Sequence, residues 1–160
     1  PDGYRSRVTE RGLSERFCGV DRPGHFDGVL TVVLKLLNLV RAERAYFGEK
    51  DWQQLKLIRA MTRALFLETQ VIACPVVRDH DGLALSSRNR RLTDQERSLA
   101  PQLHRQLVTQ ASAEDAVKAL EHLGFKVDYI EDFEGRRLAA ARLGNTRLID
   151  NVPLEQTHAC

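Results

Sequence analysis

The sequence predicts a two-part α/β protein: a helix–strand–helix–strand unit built on a parallel sheet, followed by a smaller α+β part. Three observations carry this expectation. Apolar spacing alternates between helical and extended periods from residue 29 to residue 77. A polar stretch at 78–92, carrying Gly82, then interrupts the pattern. After residue 92 the order becomes helix, helix, strand, strand. The expected domains are therefore 1–77 and 78–160, joined within the polar loop.

Each element has its own justification. Residues 1–27 hold Gly3, Gly12, Gly19, Gly24 and many charges, and read as short irregular or strand-like pieces. Val29, Val32, Val33, Leu36, Leu37 and Val40 follow helical spacing, and Leu30, Leu34 and Leu39 widen the stripe. This helix is expected to be buried on more than one side. Arg44–Phe47 reads as a short strand ending at Gly48. A helix over 51–66 turns Leu55, Ile58, Met61 and Leu65 inward and Lys56, Arg59 and Arg63 outward. Asp51 with Gln54 has the spacing of a capping box. Thr69–Val77 reads as a buried strand. Thr93 and Glu96 form a second capping box, for a helix reaching Gln110, and Ser112 caps another that ends at Gly124. Phe125–Phe133 and Arg137–Asp150 alternate as strands, with Gly144-Asn145 as a hairpin turn.

Composition bounds the function. The chain has 160 residues, 42% apolar and 29% charged, with 10 Gly and 5 Pro, which excludes disorder, collagen-like repeats and low complexity. A net charge of +2 carries no signature of a nucleic-acid or membrane-surface protein. The longest apolar run, Val71–Val77, contains Pro75 and falls far short of the ~20 residues of a membrane span. No signal peptide is read. Cys18, Cys74 and Cys160 form no close pair, as expected of reduced thiols in a cytoplasmic protein. The chain begins with Pro1 rather than Met, so it is expected to be a fragment or a processed chain.

Three segments could carry chemistry. Gly48-Glu49-Lys50-Asp51, followed by Gln53 and Gln54, lies between a strand end and a helix start, where ligands bind in open α/β sheets. Helix N–H groups and the Lys50 charge suit a phosphate there. The bland alternative is a helix cap beside a solvated lysine. Asp81-Gly82-Leu83-Ala84-Leu85-Ser86-Ser87-Arg88-Asn89 gathers hydroxyls, a guanidinium and an amide, the donors of a phosphate cradle. Its alternative is a polar interdomain loop. Loops after consecutive strands of one sheet would open on the same edge. His25, in Arg22-Pro23-Gly24-His25-Phe26, is either structural or faces a polar substrate. His80, His104, His122 and His158 lack metal-ligand spacing and read as surface or loop residues, and Cys74 reads as a core thiol. Arg88, Arg90 and Arg91 form a basic knot without the interleaved aromatics of a nucleic-acid platform.

Together these strings resemble the pantothenate synthetase (pantoate–β-alanine ligase) family. The resemblance rests on Arg22–Phe26, Gly28–Leu36, Phe47–Asp51 with Gln53-Gln54-Leu55, Asp81–Asn89 and Ala140–Asn151, in order, and covers about 4–157. It implies the second half of a Rossmann-like nucleotide-binding domain (1–77, for nucleotide and pantoate), followed by a small α+β C-terminal lid. It also implies a homodimer using ATP and Mg²⁺. Pantoate would attack the α-phosphate of ATP, and β-alanine would then attack the resulting pantoyl-adenylate. By motif, Gly48, Glu49, Lys50, Asp51, Val77, Leu85, Ser86, Ser87 and Arg88 match ATP-binding positions. Lys50, Ser86, Ser87 and Arg88 carry the catalytic charge stabilisation, and Gln54 and His25 face pantoate. The family's N-terminal His-x-Gly-His motif has no counterpart here, and the linker near 110 is shorter than in the family. The chain alone is therefore expected to be inactive, with an uncovered sheet edge and apolar face. Other readings are a non-catalytic nucleotide-binding or dimerising module, or another adenylyl-transferring enzyme of the same fold.

Overall fold

The computed structural model describes Gly3 and residues 5–154; His158 and Cys160 lie outside the described residues. The chain forms two compact units, one up to Pro75 and one from Val76 onward.

The first unit opens with a 3₁₀ turn, Leu13–Glu15, and a one-turn helix α1, Cys18–Asp21, rather than strand-like pieces. Gly19 allows this fold-back, since a Cβ there would lie 1.8 Å from the Ser14 carbonyl oxygen. Helix α2 spans His25–Val40 and starts at His25 because Gly24, at φ 73°, turns the chain into it. It buries Phe26, Leu30 and Leu37, whereas Val32, Leu36, Leu39 and Val40 are exposed. The expected burial on more than one side is therefore not found among the described residues: Leu30 and Leu34 join the core, and Val32, Leu36, Leu39 and Val40 form an uncovered apolar face.

Strand β1, Arg44–Gly48, leads through a 3₁₀ turn, Glu49–Asp51, into helix α3, Trp52–Ala64, and then to strand β2, Gln70–Cys74. The two strands pair in parallel from Arg44↔Gln70 to Gly48↔Cys74. Parallel strands need a crossover, and α3 supplies it. Ile58 and Met61 of α3 pack with Leu30 and Leu37 of α2, with Ala45, Phe47 and Val71 against them. Leu55 is buried as expected, but Leu65 is exposed because the helix ends one residue earlier; Leu57 is buried instead. Strand β2 is half-buried and stops at Cys74, since Pro75 has no N–H for a ladder. The expected extension to Val77 is absent, and Cys74 is half-buried rather than a core thiol.

The second unit contains α4 (Asp94–Leu99), α5 (Gln102–Thr109), α6 (Ala113–His122), β3 (Lys126–Phe133), β4 (Arg136–Leu143) and β5 (Thr146–Pro153). The capping box forms: Glu96 N–H donates to Thr93 Oγ1 at 3.3 Å, and Thr93 N–H donates to Glu96 Oε2 at 2.8 Å. The single helix expected from there to Gln110 is two, because Pro101 cannot donate the hydrogen bond that would continue α4. Ser112 caps α6 by accepting from Asp115 N–H at 3.0 Å.

The strands form an antiparallel meander in the order β3-β4-β5. Glu134 and Gly135 make the first tight turn, both left-handed at φ 47° and 73°, and Gly144 (φ 54°) with Asn145 makes the second. Leu103, Leu107, Ala116 and Leu120 of the helices pack on Ile130, Ala139, Ala141, Leu148 and Val152. Arg137, only 3% exposed, binds the end of α5. It donates to the Gln110 carbonyl at 2.6 Å and the Ala111 carbonyl at 3.3 Å while pairing with Asp132 at 2.7 Å. A cation on the last carbonyls of a helix satisfies them and opposes the helix dipole.

Leu120 is fully buried at the centre of this unit. Leu120→Ala is expected to cost about 2–5 kcal/mol, read as a lower midpoint in denaturant unfolding followed by circular dichroism.

Candidate functional site

In the first unit, the register Gly48↔Cys74 brings both strands to an end at one edge. The chain leaves that edge through the turn carrying Glu49, Lys50 and Asp51; Glu49 and Lys50 are half-buried, while Gly48 and Asp51 are exposed. The expected capping box at Asp51 does not form. Asp51 sits at φ −93°, ψ 56°, and its carboxylate accepts no capping bond. That conformation differs from the extended one in which a cap side chain reaches the first N–H groups. Its position still brings the turn to the start of α3.

The two glutamines separate cleanly. Gln53 is buried and structural. Its amide donates to the carbonyls of Leu13 and Arg16, both at 2.7 Å, and its oxygen accepts from Cys18 N–H at 3.1 Å. Gln54 is half-exposed in the first turn of α3. His25 begins α2, with Nε2 3.0 Å from Arg22 Nη1 and its ring 5.0 Å from that of Phe26.

In the second unit, the expected polar loop is a short hairpin. Leu85 N–H donates to the Val77 carbonyl at 2.9 Å, and Asp79 N–H donates to the Leu83 carbonyl at 2.8 Å. Gly82, at φ 92°, closes the turn. Val77 and Leu85 are thereby brought side by side, both exposed. A 3₁₀ turn, Ser87–Arg91, follows, capped by Ser86 Oγ accepting from Arg88 N–H at 3.2 Å. Asn89 ties it back to the Ala84 carbonyl at 3.1 Å. Ser87, Arg88, Arg90 and Arg91 are exposed. Hydroxyl and guanidinium donors on a capped turn can bind a phosphate by charge-assisted hydrogen bonds.

The hairpin is held by charges that the sequence did not reveal. Arg78 donates to both oxygens of Asp150 on β5, at 2.6 and 2.9 Å, and to the Gly82 carbonyl at 3.1 Å. The Asp150 side chain is 2% exposed. Arg97 of α4 grips the turn, donating to Asp81 and, at 2.8 Å, to Asp79. Hydrogen bonds from the His80 side chain and backbone, then from Arg97, lower the Asp79 pKa to about 2. His104, read from sequence as a surface or loop residue, is on α5 and half-buried, with Nδ1 3.6 Å from Asp150 Oδ2. Burial, and then the positive Arg78, hold its pKa below the usual 6.5 against the pull of Asp150. These partners are up to 72 residues apart, so no local spacing could have signalled them.

Among the described residues, no three His, Cys, Asp or Glu side chains come together as a metal site, and no helix is long and apolar enough to cross a membrane.

A parallel β-α-β unit whose first strand runs into a lysine-bearing turn, followed along the chain by a helix-backed antiparallel meander, defines the Rossmann-like α/β class with a small α+β second part. The chain belongs to the pantoate-beta-alanine ligase family, whose sequence profile matches residues 2–153. It is 50% identical over 154 residues to the pantothenate synthetase of Bdellovibrio bacteriovorus, covering 96% of this chain and 61% of that protein. It is 51% identical over 153 residues to that of Legionella pneumophila strain Corby, with the same coverage. The crystal structure of pantothenate synthetase from Thermus thermophilus superposes with a TM-score of 0.88 at 39% identity, over 96% of this chain and 65% of that one. The Francisella tularensis pantoate-beta-alanine ligase, solved with beta-gamma ATP and beta-alanine, gives 0.88 at 37% identity, over 96% and 60%. The chain thus spans about three-fifths of the length of the curated relatives it matches.

Because the fold lowers the His104 pKa, its neutral form contributes stability that is fully present above 6.5 and is lost as pH falls through the lowered value. Thermal melts from pH 7.5 to 5 should show stability declining below about 6.5, with a shallower decline in His104→Gln.

Proposed function

We propose that this chain carries residues of an ATP-dependent ligase that joins pantoate to β-alanine. The observation that supports this most directly is the family match over 2–153, which spans every residue assigned below. In the proposed first step, a pantoate carboxylate oxygen attacks the α-phosphorus of ATP. The bond to the β-phosphate oxygen breaks, and pyrophosphate leaves with its electron pair. In the second step, the β-alanine amine attacks the acyl carbon of pantoyl-adenylate. The acyl–oxygen bond breaks, AMP leaves, and the amine loses a proton.

The residues here would act by positioning and charge stabilisation. Gly48, Glu49, Lys50 and Asp51 contact ATP, with Lys50 neutralising charge that builds on the phosphates. Val77 meets the adenine through its backbone. Leu85, Ser86, Ser87 and Arg88 grip the triphosphate; the Ser86 oxygen that caps the turn keeps its O–H for donation. Gln54 donates to pantoate, and His25 lies on the pantoate side. The reading includes Mg²⁺, but these residues do not fit a protein cage for it: the described part holds no cluster of three potential ligands. A divalent ion with few protein ligands is held largely by the substrate phosphates. No step here is assigned to it.

The same reading makes the protein cytoplasmic and homodimeric. The exposed apolar residues of α2 and Tyr46 of β1 are the proposed dimer contact. It also holds that these 160 residues alone do not turn over, since they span about three-fifths of the relatives' length.

The test is AMP release with ATP, Mg²⁺, pantoate and β-alanine, omitting each in turn. The 160-residue chain is expected to release none, and a chain extended to the relatives' length to release AMP only with both acids present. Release by the short chain would overturn the incompleteness claim. No release by the extended chain would favour a non-catalytic nucleotide-binding or dimerising role. In the extended protein, Lys50→Ala and Ser87→Ala should each slow adenylate formation by about 10²–10³-fold, measured as pyrophosphate exchange. Near-normal rates would remove both from the phosphate site.

A further inference from the structure

We infer that Asp150, far along the chain on β5, is a positioning residue for the triphosphate turn Ser86–Arg88, acting through Arg78. The inference rests on the proposed ATP role of that turn. The Asp150 side chain is 2% exposed and its carboxylate accepts three hydrogen bonds. Arg78 donates to it twice, at 2.6 and 2.9 Å, and Asn151 N–H donates to Oδ1 at 2.7 Å. A planar fork on a carboxylate fixes both distance and orientation, which a single contact does not. Arg78 is in the hairpin itself. It bridges to Ala84, and its guanidinium also reaches the Gly82 carbonyl at 3.1 Å and the Asn151 carbonyl at 3.4 Å. Fixing Arg78 therefore fixes both limbs of Val77–Leu85. Ser86 follows directly, and Asn89 returns to the Ala84 carbonyl, so the turn inherits the hairpin's position. The ring of His104 packs on the same hairpin: a Cβ on Gly82 would lie 3.2 Å from its Cδ2.

Asp150 touches no substrate in this scheme. Its effect is to keep the backbone N–H groups and side chains of Ser86–Arg88 aimed before a phosphate arrives, which lowers the ordering cost of binding.

The experiment combines amide hydrogen exchange with calorimetric ATP binding, on the protein extended to the relatives' length, as wild type, Asp150→Asn, Asp150→Glu, and the double variant Arg78→Gln/Asp150→Asn. The double variant removes both charges, so it remains informative if Asp150→Asn, with Arg78 left unpaired, fails to fold. In Asp150→Asn and in the double variant, the amides of Asp79 and Leu85 should exchange at least about tenfold faster while β4 amides keep their wild-type rates. ATP should bind about tenfold more weakly in both. Asp150→Glu, which keeps the carboxylate, should recover most of the protection and affinity. Unchanged hairpin exchange would overturn the inference. So would faster exchange with unchanged ATP affinity, or a Glu variant no better than Asn. If the wild-type protein of the relatives' length binds no ATP, the nucleotide reading of the turn fails and the positioning role fails with it. The exchange rates would then still report separately whether Asp150 fixes the hairpin.

Discussion

The second unit depends on one buried ion pair. Removing a carboxylate and a guanidinium from water costs several kcal/mol per ion, and only good geometry with full hydrogen bonding offsets it. Asp150 and Arg78 pair through two parallel bonds, with further bonds from the guanidinium to the Gly82 and Asn151 carbonyls and from Asn151 N–H to the carboxylate. Deleting either partner would leave a buried charge uncompensated, at a cost of about 3–5 kcal/mol. The pair is therefore a constraint on the rest: the hairpin must lie over β5, α5 must leave room for it beside His104, and Arg97 of α4 must meet Asp79 and Asp81. Asn151 extends the same network by accepting from Arg136 Nε at 2.7 Å.

Much of the architecture was legible because it is locally encoded. Leu55, Ile58 and Met61 repeat at the helical period and are buried. Thr93 with Glu96 makes its capping box, and Gly144-Asn145 makes its turn. The helix break at Pro101 was also in plain view, since a residue without an N–H cannot donate the bond that continues a helix, but the expected single helix rested on the Thr93/Glu96 capping box alone. Asp51 shows the opposite failure. Its residue type and spacing suit a cap, yet a 3₁₀ turn before α3 takes it out of the conformation that caps.

The site was legible in its residue types and not in their support. Lys50, Ser87 and Arg88 stand out as anion-suited residues on turns, and the structure puts them on turns. Their supporting contacts are long-range. Gln53 reaches Leu13 across 40 residues, and Arg137 reaches Gln110 across 27. Neighbouring Gln53 and Gln54 look equivalent in sequence; only the tertiary fold buries one and leaves the other at the surface. Likewise α2 carries apolar residues on faces this chain does not cover, so its periodicity was right and its expected burial was not.

The meander has a kinetic consequence. Its strands are joined by two-residue turns, so each pairing closes a short stretch of chain. Contacts between near neighbours form faster than those that must first close a long loop. The Arg78–Asp150 contact closes 72 residues and needs β5 in place. In a chain emerging from the ribosome N-terminus first, the hairpin is made long before its anchor. It gains Arg97 once α4 is made, but its buried anchor waits for α5, α6 and most of the sheet, and is completed only when β5 has been synthesised.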